Sequence, residues 1–280
     1  MRRTTERAYV VAFLAGIGVA VATLAVLLGS ILAAAWPRLS WNLVFNFSNS
    51  TDPSTAGYAA AIVGTLWLVG LTLLFSLPLG IAAGTYLEEY AGHGRTTRLL
   101  QAGVTNLAGV PSVVFGLLGL ALFVRALGLG AIILAGALTL TILVFPYVVI
   151  TTQEALRAVP SSIRDAALAL GATKWQSIRR QVLPAATPGL LTASILAAAR
   201  AMGETAPLLV IGALFLQTFL PDGPEDPFVA LPVQIYAYST LPTGTWGGVA
   251  AAGMVILLGM LFSFNIVAIV ARNRLQRHRW

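Results

Sequence analysis

The sequence contains no cysteine and only two histidines, His93 and His278. The absence of cysteine excludes a disulfide framework, a thiol nucleophile and a thiolate metal site. Because the two histidines lie far apart in the chain, we expect no metal site from them and no bound cofactor. The string G-x-x-x-x-G-K-[S/T] is also missing, so the chain carries no P-loop to hold the phosphates of a nucleotide.

Charged residues are scarce as well, and long apolar runs take their place. Hydrophobic residues make up 58% of the 280 residues and charged residues only 10%, whereas about a quarter of the residues of soluble domains are charged. A membrane helix needs about 20 apolar residues. The predicted spans run from Ala8 to Ala35, Tyr58 to Tyr86, Val104 to Val124, Ala131 to Thr152, Pro188 to Phe219 and Trp246 to Ala271. The composition therefore predicts an all-α integral membrane protein with six helices.

The basic residues indicate how these spans are oriented. Six crossings place both termini on one side of the membrane, and that side carries most of the 17 Lys and Arg residues. They are Arg2, Arg3, Arg7, Arg95, Arg98, Arg157, Arg164, Lys174, Arg179, Arg180, Arg272, Arg274, Arg277 and Arg279. Since cytoplasmic loops are enriched in Lys and Arg, we predict that both termini are cytoplasmic. The net charge of +7 then reflects membrane topology, and no nucleic-acid partner is expected.

The spans divide the chain into three parts. Residues 1–57 are predicted to form the first transmembrane helix and an outer loop, residues 58–271 the helical core, and residues 272–280 a basic cytoplasmic tail. The basic N-terminus and first apolar run also resemble a secretory signal. That run of about 28 residues exceeds the roughly 7–15 of a signal core, which favours a retained helix. The apolar run from Phe228 to Tyr238 fits a short interfacial helix or a contact for an external partner.

An amphipathic insert, residues 153–187, separates the fourth and fifth spans. Ser162 and Asp165 fit a helix-start box, in which a hydroxyl caps free amides and a carboxylate lies near the positive helix end. The apolar residues that follow at the spacing of one helical face are Ile163, Ala166, Ala167 and Leu170. Gly171 is expected to end this helix, because glycine readily adopts the left-handed backbone of a C-terminal cap.

A second short helix is predicted directly after Gly171. Thr173 and Gln176 form another helix-start box, and Pro184 is expected to end the helix. Its apolar face is formed by Trp175, Ile178 and Val182. The insert is therefore predicted to be two helices joined at a glycine bend, with small alanines that allow close approach of another protein. The alternative is a surface hairpin that packs on its own bundle.

One charged pair, Arg200 and Glu204, lies inside the fifth predicted span. A spacing of four residues places both side chains on one helical face. A charge near the bilayer centre costs about 2.5–3.5 kcal/mol, so such residues are expected to face protein or water. Two interpretations stay open. The pair either fixes helix packing, or Arg200 presents its donor fork to a permeating oxyanion or holds a gate.

Two further pairs of residues receive structural interpretations. Gly80 and Gly84 form a small face that favours close helix packing. Glu88 and Glu89 would suit paired catalytic carboxylates, but they follow the second span and are more consistent with a solvated helix end balanced by the arginines at 95 and 98.

The insert also resembles a known loop. Asp165-Ala166-Ala167, Gly171 and Leu183-Pro184 have the spacing of E-A-A, three residues, G, nine residues, I-x-L-P. This is the EAA loop of ABC-importer permeases, although Asp165 replaces glutamate and Gln181 replaces an aliphatic residue, which leaves the local packing open. The resemblance implies a type I importer permease (MetI-like) with cytoplasmic coupling helices. It also implies that the chain is not an enzyme and that the loop inserts into a cleft of a separate ATPase.

The resemblance assigns two groups of site residues. The implied ATPase-coupling residues are Asp165, Ala166, Ala167, Leu170, Gly171, Leu183 and Pro184. Arg200 and Glu204 are the candidates for translocation or gating.

Four further strings narrow the resemblance to the PstA-like permeases of phosphate-specific transport. They are YLEEYA at 86–91, NLAGVPS at 106–112, RAMGETAP at 200–207 and ALPVQI at 230–235. The implied substrate is inorganic phosphate, and the implied site of action is the inner or plasma membrane of a bacterial or archaeal cell. The implied partners are a PstB-like ATPase dimer, a PstC-like sister permease, an extracytoplasmic PstS-like phosphate-binding protein and membrane lipid. A second copy of this chain in place of the sister permease stays open.

Three alternative functions are compatible with at least part of the sequence. The nearest is a permease of the same class for another oxyanion, such as sulfate, molybdate or phosphonate. An ion-coupled secondary transporter is disfavoured because no inverted repeat with paired broken helices is apparent. A membrane enzyme is disfavoured because the spans contain no catalytic cluster beyond Arg200 and Glu204.

Overall fold

The computed structural model describes residues 2–92, 94–242 and 244–277, most of which are helical. The helices are α1 (Arg2–Ala35), α2 (Trp41–Phe45), α3 (Ala59–Thr85), α4 (Arg95–Ala108), α5 (Ser112–Gly119), α6 (Ile133–Arg157), α7 (Ser161–Ala169), α8 (Lys174–Ser177), α9 (Leu183–Gly203), α10 (Ala206–Ile211), α11 (Leu231–Ser239) and α12 (Gly244–Arg277). Turns of π-helix extend α3 (Tyr86–Tyr90) and α5 (Leu120–Ala126) and join α8 to α9 (Ile178–Val182). His93, His278 and Arg279 lie outside the described residues.

Helices of membrane-spanning length dominate this architecture. Five apolar helical segments are long enough to cross a bilayer within the described residues: Tyr9–Arg38, Ala59–Tyr90, Ile133–Arg157, Lys174–Gly203 and Gly244–Arg274. The pair of helices Arg95–Ala108 and Ser112–Ala126 makes a sixth if it is counted as one bent span. The predicted all-α membrane fold is confirmed.

The third predicted span is not one continuous helix. Helices α4 and α5 meet at an angle of 101° within the predicted span from Val104 to Val124. The break falls at Pro111, whose ring disfavours helical backbone in the residue before it and which has no N–H to donate. Pro111 itself adopts φ −55° and ψ 138° and precedes the first residue of α5.

The fifth predicted span has different ends. Pro184 does not end the second insert helix, because it lies in the first turn of α9, which follows the π-helical turn Ile178–Val182 without a break. The chain is therefore helical from Lys174 to Gly203. The predicted continuation to Phe219 is wrong, because Glu204 is extended and Ala206 starts the separate six-residue α10. Within the part of the chain that the structure describes, two of the predicted spans are thus broken, one at Pro111 and one after Gly203.

The pair α3 and α6 forms the centre of the bundle, and glycine makes its closeness possible. A Cβ atom on Gly80 would lie 2.5 Å from Cγ1 of Val148, and one on Gly84 would lie 2.7 Å from Cβ of Thr152. Larger residues at either position would force the helices apart. The prediction that these glycines serve close packing is confirmed.

The apolar run from Phe228 to Tyr238 is buried, so its interpretation as a surface segment is wrong. Helix α11 packs on α12 in one core cluster with Leu231, Ile235 and Tyr238. The hydroxyl of Thr65 on α3 accepts the N–H of Leu231 at 2.8 Å, which satisfies one free amide at the start of α11. Because the first turn of α11 is anchored in the bundle, the run contributes core packing rather than membrane contact.

Helix α1 lies at the edge of the molecule. None of the residues in its most apolar stretch is buried, and large side chains such as Phe13 and Leu24 are exposed. The helix packs on α12, and at its C-terminal end Ala35 joins the core cluster of α11 and α12. An apolar helix exposed along its length is the arrangement expected where lipid or another membrane subunit covers it.

Candidate functional site

The predicted insert folds into two helices joined by a bend, and we call residues 161–182 the elbow. The bend lies at Gly171, whose φ of +83° is in the left-handed region that favours glycine. Its N–H donates to the carbonyl of Leu168 at 2.9 Å, and the N–H of Ala172 donates to Ala167 at 3.1 Å. These bonds satisfy carbonyls at the end of α7, and they confirm that Gly171 ends this helix.

The two predicted helix-start boxes have opposite outcomes. At the second, Thr173 Oγ1 accepts the N–H of Gln176 at 3.2 Å, and Gln176 Oε1 accepts the N–H of Thr173 at 2.8 Å, so the box is confirmed. The first box is wrong, because α7 is preceded by Pro160 and has no side-chain cap. Ser162 lies within the first turn of that helix, two positions after the cap position, which Pro160 occupies.

The elbow presents an exposed surface around Gly171. Four of the predicted coupling residues are exposed, namely Asp165, Ala166, Leu170 and Gly171. Ala167 is buried, and Leu183 and Pro184 are half-buried against the bundle. The side chain of Leu170 is 90% exposed, which is unusual for leucine and typical of a residue that contacts a partner. The side chain of Gln181 is also exposed, so the polar replacement there removes no buried apolar contact.

A shallow cavity of about 330 Å³ lies beside this bend. It is lined by Ala167, Leu170, Gly171, Ala172, Gln176, Ser177, Arg180 and Gln181. The elbow therefore combines a protruding apolar side chain with an adjacent concave surface, as a segment that seats in another protein would require.

The charged pair inside the membrane is looser than its spacing predicts. Nε of Arg200 lies 3.6 Å from Oε1 of Glu204, beyond a good hydrogen-bond distance. Helix α9 ends at Gly203, so Glu204 is extended and does not share a helical face with Arg200. The side chain of Arg200 stays about a third exposed, so part of its donor fork remains accessible.

Tyr147 on α6 is a site residue that the sequence analysis missed. The guanidinium carbon of Arg200 lies 3.9 Å from the centre of the Tyr147 ring, close enough for a cation–π interaction. The Tyr147 hydroxyl donates to the carbonyl of Ala108 at 2.7 Å, at the last residue of α4. Tyr147 therefore connects Arg200 to the break between α4 and α5. No local pattern indicates this role, because the residues it joins are far apart in the chain.

The two broken helices also contact each other. A Cβ atom on Gly116 would lie 2.7 Å from Cα of Pro207, so α5 and the start of α10 are in close contact. Pro207 lies three residues after Glu204, and Gly116 lies shortly after the break at Pro111. Arg200, Glu204 and both breaks are thus parts of one packed region, in which a change at one helix end would be felt at the other.

Loss of the Tyr147 side chain should disturb this region. In Tyr147→Leu the cation–π contact and the hydrogen bond to Ala108 both disappear, and each is worth about 1 kcal/mol. Transport by the chain should therefore fall about fivefold or more, whereas Tyr147→Phe, which keeps the ring, should fall less. The measurement is the initial rate of solute uptake, with Tyr9→Leu on the exposed face of α1 as control. Equal rates for Tyr147→Leu and Tyr9→Leu would contradict the role.

Glu88 and Glu89 have different partners from those expected. They do not pair with Arg95 or Arg98, and instead contact Arg157 at the end of α6 and Arg164 on α7. Among the described residues no three His, Asp or Glu side chains come close enough together to hold a metal ion.

The profile of the family described as binding-protein-dependent transport system inner membrane component matches residues 76–276. The chain belongs to this family. The match covers the elbow, the charged pair and both broken helices, so the site residues lie within the part that the family shares.

Individual relatives agree with this membership and confirm the resemblance to PstA-like permeases. The phosphate transport system permease protein PstA of Haemophilus influenzae is 36% identical over 234 residues, which cover 82% of this chain and 80% of that protein. The phosphate transport system permease protein PstA 1 of Mycobacterium tuberculosis is 36% identical over 228 residues, which cover 80% of this chain and 73% of that protein.

A solved structure extends the comparison to the fold. The inward-facing MetNI methionine ABC transporter contains a chain with a TM-score of 0.64 and 20% identity, covering 77% of this chain and 96% of that one. The predicted MetI-like fold of this permease family member is therefore confirmed.

Proposed function

We propose that this chain is the transmembrane permease subunit of an ATP-driven importer of inorganic phosphate. The observation that carries the proposal is the identity of about a third with PstA permeases over about four-fifths of the chain. The fold by itself leaves the substrate open, because the structurally similar MetNI chain belongs to a methionine transporter.

The elbow is the point at which the chain receives the force of ATP hydrolysis. Five of the seven coupling residues lie in the elbow near the bend at Gly171, and the exposed Leu170 and the cavity beside it offer a surface for a PstB-like ATPase dimer. The chain carries no P-loop, so hydrolysis takes place on that partner. The basic residues on the elbow side favour a cytoplasmic position for the elbow and both termini.

The other partners complete the pathway. A PstC-like sister permease lines it together with residues 58–271, and a PstS-like protein delivers phosphate from outside. Residues 1–57 supply the peripheral first helix and outer loop, and residues 272–280 the basic tail. The exposed apolar surface of α1 supports contact with lipid or the sister permease.

Arg200 and Glu204 act in translocation or gating. The loose 3.6 Å pair and the accessible guanidinium support this role, because a tightly paired arginine would be neutralised toward an anion. Tyr147 holds the guanidinium from its other face.

Uptake of labelled anions tests the substrate. The chain is expressed with the ATPase, sister permease and binding protein of its own organism in a bacterial strain that lacks its native phosphate importer. We expect the rate of phosphate uptake to be at least about tenfold higher than in the strain without these proteins. This ratio corresponds to a difference of about 1.4 kcal/mol in activation free energy. Uptake of labelled sulfate, molybdate or phosphonate without uptake of phosphate would assign another oxyanion instead.

A further inference from the structure

Three consecutive residues of the π-helical turn that extends α3 contact the elbow or the end of α6 just before it. Glu88 contacts Arg157 at the end of α6, Glu89 contacts Arg164 on α7, and the Tyr90 ring lies 5.1 Å from Nζ of Lys174 on α8. Each residue thus contacts a different part of the chain around the elbow. Helix α3 precedes the elbow by some seventy residues, so these contacts join the elbow to a membrane helix that does not flank it.

The contact between Glu89 and Arg164 is the strongest of the three. Nη2 of Arg164 lies 2.6 Å from Oε1 of Glu89, and Nε lies 3.0 Å from the same oxygen. The Glu89 side chain is only 7% exposed, and that of Arg164 is 24% exposed. Charge-assisted hydrogen bonds are short and directional. Solvent and salt screen such a pair little when it is shielded from water.

Arg164 also binds the end of α6. Its Nη1 donates to the carbonyl of Val159 at 2.8 Å, and its Nη2 donates to the carbonyl of Leu156 at 2.9 Å. These carbonyls lie at or just past the C-terminal end of α6, and that of Leu156 also accepts the N–H of Val159 at 3.2 Å. One guanidinium on α7 therefore ties together the ends of α3 and α6, which are also the most extensively packed pair of helices in the bundle.

The other two contacts are weaker. The Arg157 side chain is 57% exposed and that of Glu88 is 19% exposed, so water reaches the arginine side of this ion pair and the pair contributes less to stability than a shielded one. Tyr90 and Lys174 are exposed as well, and their separation of 5.1 Å is near the limit of a cation–π interaction. The pair of Glu88 and Arg157 is therefore a natural control. It is also a glutamate–arginine ion pair, directly adjacent in sequence, but its arginine is exposed to water.

We propose that Arg164 and Glu89 form a clamp that transmits the movement of the elbow to α3. This proposal rests on the proposed function, in which an ATPase moves the elbow. The clamp adds a short, shielded connection from α7 to α3, beside the flanking chain segments, the packing of Ile163 on the end of α6 and the weaker contact of Lys174 with Tyr90. With the clamp, α7 moves together with the joined ends of α3 and α6. Arg164 lies directly before Asp165, so the clamp is adjacent to the coupling surface. Both residues are positioning residues, since neither contacts the solute.

The experiment measures coupling rather than activity alone. The complete transporter with its binding protein is reconstituted in proteoliposomes, and labelled phosphate uptake and ATP hydrolysis are recorded together. In Glu89→Gln we expect the ATPase subunit to co-purify in normal amount and the number of phosphates moved per ATP to fall about three- to tenfold. Arg164→Lys keeps the charge but loses the fork that reaches both carbonyls and carboxylate, and it should give an intermediate ratio.

The control and the contrary outcomes are distinct. Glu88→Gln should keep the phosphate-to-ATP ratio within about twofold of the unaltered transporter, because its ion pair is solvated. A ratio in Glu89→Gln equal to that in Glu88→Gln would overturn the clamp. Loss of assembly in both Glu89→Gln and Arg164→Lys would also overturn it and assign the pair to folding. Failure of the proposed function itself would appear differently, as absence of phosphate uptake by the unaltered transporter.

Discussion

Phosphate uptake is expected to fall about tenfold or more when Arg200 is replaced by lysine. Lysine keeps the positive charge but loses the planar fork that can bind two oxygens of an anion at once. A hydrogen bond to a charged group contributes about 1.5–3 kcal/mol, and its loss in the transition state corresponds to a factor of about 10–100. The lysine ammonium would also stack less well on the Tyr147 ring, which now lies 3.9 Å from the guanidinium carbon.

The initial rate of labelled phosphate uptake checks this expectation, with the amount of chain in the membrane measured in parallel. Arg125→Lys is the matched control, because Arg125 is an exposed arginine at the other end of the bent third span. Undiminished uptake in Arg200→Lys would argue against contact with the anion and leave the structural ion pair as the remaining role. Glu204→Gln further distinguishes anion contact from a structural ion pair. Removal of the carboxylate charge weakens a structural pair, whereas it leaves Arg200 free to bind an anion.

Replacement of Gly171 by valine is expected to abolish most phosphate uptake while the chain still inserts in the membrane. Gly171 has φ +83°, a region that costs an L-residue about 1–2 kcal/mol and a β-branched residue more. The surroundings of Gly171 are open, so the strain comes from the backbone rather than from a clash. The bend can relax only by changing its angle, which moves Leu170 relative to α8 and disrupts the docking surface.

Gly128→Val provides a control for strain alone. Gly128 also has a left-handed backbone, with φ +67°, an exposed position and open surroundings, but it lies near the opposite end of α6. We expect that variant to keep most of its uptake. Three quantities are measured: chain in the membrane fraction, ATPase subunit that co-purifies, and phosphate uptake. Normal uptake and normal ATPase association in Gly171→Val would contradict a docking role for the elbow.

The elbow shows which structural features can be predicted from residues that are close together in the sequence. Gly171 as a helix stop and the Thr173–Gln176 box were both predicted and both confirmed, because each depends on residues within one turn of each other. The box at Ser162 failed because Pro160 occupies the cap position, so α7 starts two residues earlier than a cap at Ser162 would require. The coupling residues around Gly171 remain a prediction of function, although their exposure agrees with it.

The helix breaks were harder to predict. Prolines occur inside several spans, and Pro78 and Pro146 lie within intact helices, whereas Pro111 and Pro207 lie at breaks. Membrane helices tolerate proline when neighbours satisfy the freed carbonyls. Whether a given proline breaks its helix therefore depends on what packs around it, as the close contact of Pro207 with Gly116 illustrates.

The sequence alone determined the class of the molecule: apolar spans, a basic side, a glycine bend and a family resemblance, all of which are read from composition or from residues close together in the chain. Only the tertiary structure decided that Glu89 belongs to Arg164, that Tyr147 holds Arg200, and that the run before the last span is buried. The physical reason is that these contacts join residues separated by 50 or more positions, and such pairs form only after helix packing has selected which faces meet.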